Sequence, residues 1–97
     1  MTYSAKIVLV STSAYFPERD RQLLQELIAA RIELFCATGV GAKAWEDALD
    51  WACIGDDGRD EHLIVTTSHE DESLAEVLEF AEQFSTSSQD KPQIVHR

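Results

Sequence analysis

His69, with Asp71 two residues on, Ser68 beside it and Ser13 far upstream, supplies the residue types of a hydrolytic triad. In such a triad a carboxylate orients an imidazole, and the imidazole takes a proton from a hydroxyl. The G-x-S-x-G turn that presents a nucleophilic serine does not accompany them, and capping of the following helix accounts for the same segment, so no catalytic residue is assigned. Gly39, Gly41 and Ala44 spell G-x-G-x-x-A between a strand-like and a helix-like stretch, the setting in which glycines let a pyrophosphate approach a helix N-terminus. The motif lies in the second unit of the chain rather than the first, and the strand after it ends in Thr66, Thr67 and Ser68 instead of an acid. A tight turn is expected there, and no cofactor. Lys43 lacks the Gly-Lys-Ser/Thr context of a phosphate loop.

Metal chemistry fares no better. Asp56, Asp57, Asp60, Glu61 and His62 are oxygen- and nitrogen-bearing neighbours, but their spacing is not that of a calcium loop and Arg59 stands among them. Cys36 and Cys53 have no metal-ligand spacing and read as small buried hydrophobes. A phosphoryl carrier would want Cys or His after the first strand, and a receiver-like domain an Asp after the third. Ser11 and Thr67 stand in those places.

The elements that must position these residues are clear from periodicity. Four short apolar runs, Ile7 to Val10, Leu34 to Ala37, Leu63 to Thr66 and Ile94 to Val95, alternate with three helix-patterned stretches. Pro17 suits a first helical turn, with Glu18 and Asp20 at the positive end of the dipole, and Leu23, Leu24, Leu27, Ile28 and Ala30 draw one stripe down a helix of about Glu18 to Arg31. Trp45, Ala48, Leu49, Ala52 and Cys53 share one face of a second helix from Ala42 to Ile54, with Trp51 at the flank and Gly55 as a left-handed stop. Ser73 and Glu76 form a capping box for a third helix buried through Leu74, Val77, Leu78, Ala81 and Phe84. Ser85 to Asp90 reads as a solvated linker before the short last strand.

Such a rhythm predicts a small three-layer Rossmann-like or flavodoxin-like α/β domain with a four-stranded parallel sheet and three helices. The first strand, apolar on both faces, is placed centrally, and Glu33 assigns the second to an edge. Right-handed crossovers then give the order 2-1-3-4, with the first helix on one face and the second and third on the other. The first helix's face would be thinly covered. A ligand site would fall where the order reverses, beyond the strand ends, among Ser11, Thr12, Ser13, Gly39, Gly41, Thr66, Thr67, Ser68 and His69. Hydroxyls and helix N-terminal amides there suit a small anionic or polar ligand, and they serve equally as caps for their own backbone.

The 97 residues make one domain, 1–97. Eighteen acidic residues against 8 basic ones, a net charge of -10, disfavour nucleic acid and anionic membranes as partners. No apolar run reaches a membrane span, so a cytoplasmic protein is expected. An uncovered sheet face, or the Trp51 flank, is most simply relieved by another chain, which predicts a homodimer or protein complex and a noncatalytic interaction domain. The alternative is a ligand binder, or minor enzyme, at the strand ends. Leu34-Phe35-Cys36, Trp45-Glu46, Thr66 to His69 and the Leu74 to Phe84 helix together resemble an uncharacterised family of short acidic bacterial α/β proteins, a domain of unknown function. That resemblance supports the fold and implies no activity.

Overall fold

The computed structural model describes residues 3–54, 64–84 and 91–97. The expectations for Gly55, for the acidic loop that follows it, for the 85–90 stretch and for the Cys53 side chain lie outside the described residues. Along the chain run β1 (Lys6–Ser11), α1 (Pro17–Ala29), β2 (Leu34–Gly39), α2 (Ala42–Ile54), β3 (Val65–His69), α3 (Leu74–Gln83) and β4 (Gln93–His96). Every strand pair is parallel, and the expected Rossmann-like α/β class is the one observed. Pro17 opens α1, and the Ser73–Glu76 capping box opens α3. Helix α1 stops two residues before the expected Arg31, which takes a left-handed φ of 58° just past the helix C-cap, a position more often filled by glycine.

The order of strands differs from the expected 2-1-3-4. The sheet runs β3-β2-β1-β4, so β2 is central and β3 is an edge. Glu33 lies before β2 rather than in it, and Leu34, Phe35, Cys36 and Ala37 are all buried, which is what a strand covered on both faces requires. In β3, by contrast, Val65 is exposed and Thr66, Thr67 and Ser68 are half-buried, as an edge allows.

This order also changes the layers. The β1–α1–β2 and β2–α2–β3 crossovers step in the same direction, so right-handedness puts α1 and α2 on one face. There Leu23, Leu24 and Leu27 of α1 and Trp45 and Leu49 of α2 pack on Ile7, Leu9 and Phe35. The third crossover returns past β2 and β1 to reach β4, which puts α3, the one described helix there, on the opposite face, where Val77 and Ala81 meet Val8, Leu34 and Cys36. The thinly covered face is therefore that of α3, not that of α1. The pairings Leu34 with Val65 and Val8 with Ile94 put Val65 and Ile94 on this face, one on each edge strand, and both are exposed.

Asp20 does more than complement a dipole. It is completely buried, takes hydrogen bonds from the Phe16 amide (3.0 Å) and from Arg19 (2.8 and 2.7 Å), and lies 4.0 Å from the Arg97 guanidinium. The Arg19 guanidinium, helped by the Phe16 N–H and opposed by burial, holds its carboxyl below the usual aspartate value. A depressed folded-state pKa stabilises the fold at pH values above the unfolded pKa of about 3.9, and that stabilisation is lost as pH falls through the folded value. Asp20→Asn is therefore expected to cost about 1–2 kcal/mol at neutral pH. Urea melts of the two proteins at descending pH should converge below about pH 4. A constant gap down to the acid limit would show that the carboxylate charge does not contribute.

Candidate functional site

The topological reversal lies between β1 and β4, not between β1 and β3, because β2 separates the latter two. The predicted cluster is consequently divided. Ser11, Thr12 and Ser13 stay near Gly39 and Gly41, whereas Thr66, Thr67, Ser68 and His69 sit two strands from β1, about 10 Å away at the usual strand spacing. At the reversal itself, Thr12 donates from its amide (2.7 Å) and its hydroxyl (2.8 Å) to the carbonyl of Arg97, whose own amide bonds the Val10 carbonyl at 2.9 Å.

The hydroxyls of Ser11, Thr12, Ser13, Thr38, Thr66 and Thr67 are engaged within the chain. Ser11 donates to the Ser13 carbonyl and accepts from the Trp45 indole N–H at 2.9 Å, while Thr38 donates to the His69 carbonyl at 3.0 Å. Ser13 accepts from Arg19 at 3.0 Å, and Thr66 donates to Asp50 of α2 at 2.5 Å. The two glycines have the same kind of explanation. Gly39 and Gly41 adopt φ of 94° and 70°, and a Cβ on Gly39 would overlap the Ser11 carbonyl oxygen, while one on Gly41 would lie 2.6 Å from the Ala14 Cα. The room these glycines leave is taken by the chain's own β1–α1 turn.

His69 has partners other than those the sequence offered. Its Nδ1 lies 2.9 Å from Glu72 Oε1 and its Nε2 2.7 Å from Thr67 Oγ1, while Asp71 is exposed and Ser68 pairs with Ala37, on the opposite face of the sheet from His69. A carboxylate accepts only, so Nδ1–H donates to Glu72, and the Thr67 hydroxyl lies within hydrogen-bond distance of Nε2. Thr67 pairs with Cys36, whose thiol pKa is pushed up by burial and drawn down to a lesser degree by the Thr67 hydroxyl. The Phe80 ring of α3 lies against the imidazole, with ring centroids 5.4 Å apart. Both ring nitrogens are thus engaged, and the arrangement ties the end of an edge strand to the turn that starts α3. The signal for it was the two-residue period of a strand, which puts Thr67 and His69 on one face.

The remaining feature is on the other face of the sheet. Between α1 and α2 runs a groove of about 370 Å³ lined by Tyr15, Leu24, Ile28 and Ala52, with Arg21 and Gln25 on the α1 side and Trp51 on the α2 side. Trp51 is 75% exposed, well beyond the partial exposure and flank packing that its place beside the helical stripe predicts. Its neighbour in sequence-space, Trp45, is fully buried, edge-on to Tyr15 at 5.2 Å. Among the described residues no cluster of His, Cys, Asp and Glu could hold a metal ion, and no helix is long and apolar enough to cross a membrane.

Neither a curated protein nor a solved structure matches the chain. A family model described as a domain of unknown function (DUF7684) matches residues 1–96, and the chain belongs to that family.

Proposed function

We propose that this chain is a noncatalytic protein-interaction domain that works as a homodimer through its α1–α2 face. The observation that carries this reading is Trp51, a large aromatic side chain three-quarters exposed beside an apolar groove on the same face. A projecting ring next to a recess is self-complementary about a two-fold axis, since each copy's Trp51 can enter the other's groove. Buried tryptophans are common anchors of such interfaces. Charge favours this face over that of α3. Helices α1 and α2 mix Arg19, Arg21 and Lys43 with their acids, whereas residues 70–84 carry Glu70, Asp71, Glu72, Glu76, Glu79 and Glu82 with no lysine or arginine, so two α3 faces repel. A cytoplasmic setting fits the buried free thiol of Cys36. The alternative of a small polar ligand at the strand ends draws less support, because the hydroxyls of Ser11, Thr12 and Thr38 already have partners within the chain.

Light scattering and sedimentation test the dimer. The wild-type chain is expected to run as a dimer whose melting temperature rises with concentration. Trp51→Arg should weaken association by about 2 kcal/mol or more, roughly thirtyfold, while leaving the circular dichroism spectrum unchanged. A wild-type chain that stays monomeric at the highest concentration reached, or a Trp51→Arg dimer of unchanged affinity, would refute the proposal.

A further inference from the structure

On the opposite face of the sheet, α3 leaves a lane beside it. Phe80 faces β3, since its ring lies on His69, and Leu78, about 160° further round a helix with 100° per residue, faces the other way, toward β4. The floor of that lane comes from β1 and β4, where Val10 is half-buried and Ile94 exposed, and its wall is Leu78, with Leu74 exposed one turn away. It is the place in which a doubly wound sheet would seat the helix of the crossover after β4, next to α3. Its wall and most of its floor are apolar, and the exposed His96, in register with Val10, closes the floor at the carboxyl end of β4.

Its rim is acidic. Glu82, one turn from Leu78, and Glu79 on the outer side of α3 are both exposed, and no lysine or arginine lies between residues 70 and 84 to neutralise them. Lys6, the basic residue at this end of β1, is buried and spends its ammonium on the Glu82 carbonyl at 3.2 Å. We infer that this lane receives an amphipathic helix of another protein, with apolar residues at i, i+3, i+4 and i+7 against Leu74, Leu78 and Ile94 and lysines or arginines along its flanks against Glu79 and Glu82. Charge complementarity selects the partner: a second copy of this chain would bring acids to acids, and a neutral helix would leave the rim unpaired. The surface is distinct from the Trp51 groove, so each can fail without the other.

The probe is a leucine–lysine peptide of about five helical turns, with leucines on one face. Two controls accompany it: a scrambled peptide of the same composition, and a leucine–glutamate peptide of the same pattern. Amide chemical shifts of the labelled, full-length protein report where each binds. The patterned basic peptide is expected to bind saturably, with shifts confined to α3, β1 and β4, and to weaken with added salt. The double substitution Glu79→Lys/Glu82→Lys should weaken it at least tenfold and Ile94→Ser severalfold, and Trp51→Arg should leave it unchanged. All three variants alter exposed side chains, and matching circular dichroism spectra confirm that they fold. Equal binding of the scrambled peptide, shifts centred on Trp51, or indifference to the Glu79/Glu82 reversal would overturn the inference, as would tight binding of the acidic peptide.

Discussion

Trp45→Ala is expected to remove about 3–5 kcal/mol of stability, a large part of the roughly 5–15 kcal/mol that holds a domain of this size together. Trp45 is the largest fully buried side chain of the core. It fills the space between α2 and the sheet, stacks edge-on with Tyr15, and donates its indole N–H to the Ser11 hydroxyl at 2.9 Å and the Ser13 carbonyl at 3.2 Å. Its loss opens a cavity and also releases the turn between β1 and α1, because those two acceptors are what fix that turn against α2. The melting temperature should fall by about 4–8 °C for each kcal/mol lost. Trp45→Phe keeps a six-membered ring and loses the pyrrole portion with its N–H, so its cost should lie between the roughly 0.5–1.5 kcal/mol of a single hydrogen bond and the full effect of alanine. The measurement is a denaturant titration followed by circular dichroism. If alanine and phenylalanine cost the same, the ring's volume is not what the core depends on; if alanine costs under about 1 kcal/mol, the site is not packed as described.

The elements themselves were legible because helix and strand periods differ so plainly here. Leu23, Leu24 and Leu27 repeat at three and four residues, Ile7 to Val10 is apolar throughout, and Ser73 with Glu76 marks a helix start within one residue of the observed one. The sheet order was not legible by the same means. Both 2-1-3-4 and 3-2-1-4 satisfy right-handed crossovers with β1 inside, and periodicity says nothing about which neighbour a strand prefers. What distinguishes them is which strands are apolar on both faces. Leu34 to Ala37 is, and Val65 to His69, with two threonines and a serine, is not. Reading Glu33 as part of β2 made that strand look like an edge and hid the difference. From that one displacement followed the wrong thin face and a crevice placed between strands that are not neighbours.

The candidate site was legible only as a set of residue types. Thr67 and His69 belong together, as a strand period requires, but the carboxylate that completes their hydrogen-bonded chain is Glu72, not Asp71. Which acid turns inward in a run of Glu70, Asp71 and Glu72 depends on the turn entering α3, and no spacing rule specifies that. Asp20 was hidden for a similar reason: its place in a first helical turn explained it well enough, and its burial arises from Arg19 and the Phe16 amide closing over it. Trp51 was legible only in part, since its angular position on α2 places it at the flank of the stripe but does not say that no neighbour packs over it, and three-quarters of it is exposed.

Gly39→Ala tests what the G-x-G pair is for, and its expected cost is about 3 kcal/mol or more. Two independent strains add. At φ 94° any L side chain is disfavoured, which costs about 1–2 kcal/mol by itself. The new methyl would also occupy the place of the Ser11 carbonyl oxygen, which accepts the Val40 amide at 3.0 Å, so β1 and β2 cannot both keep their ends in register. Asparagine distinguishes the two. It tolerates left-handed backbone better than alanine but carries the same Cβ, so Gly39→Asn should be nearly as damaging if the overlap dominates and should recover most of the loss if only φ matters. Val40→Ala, at an exposed position next to it, is the control for local disturbance and should change stability by less than about 0.5 kcal/mol. A Gly39→Ala chain as stable as wild type would mean that the β1 and β2 ends do not approach so closely, and the reason for the motif would have to be sought in something outside the chain that needs the room.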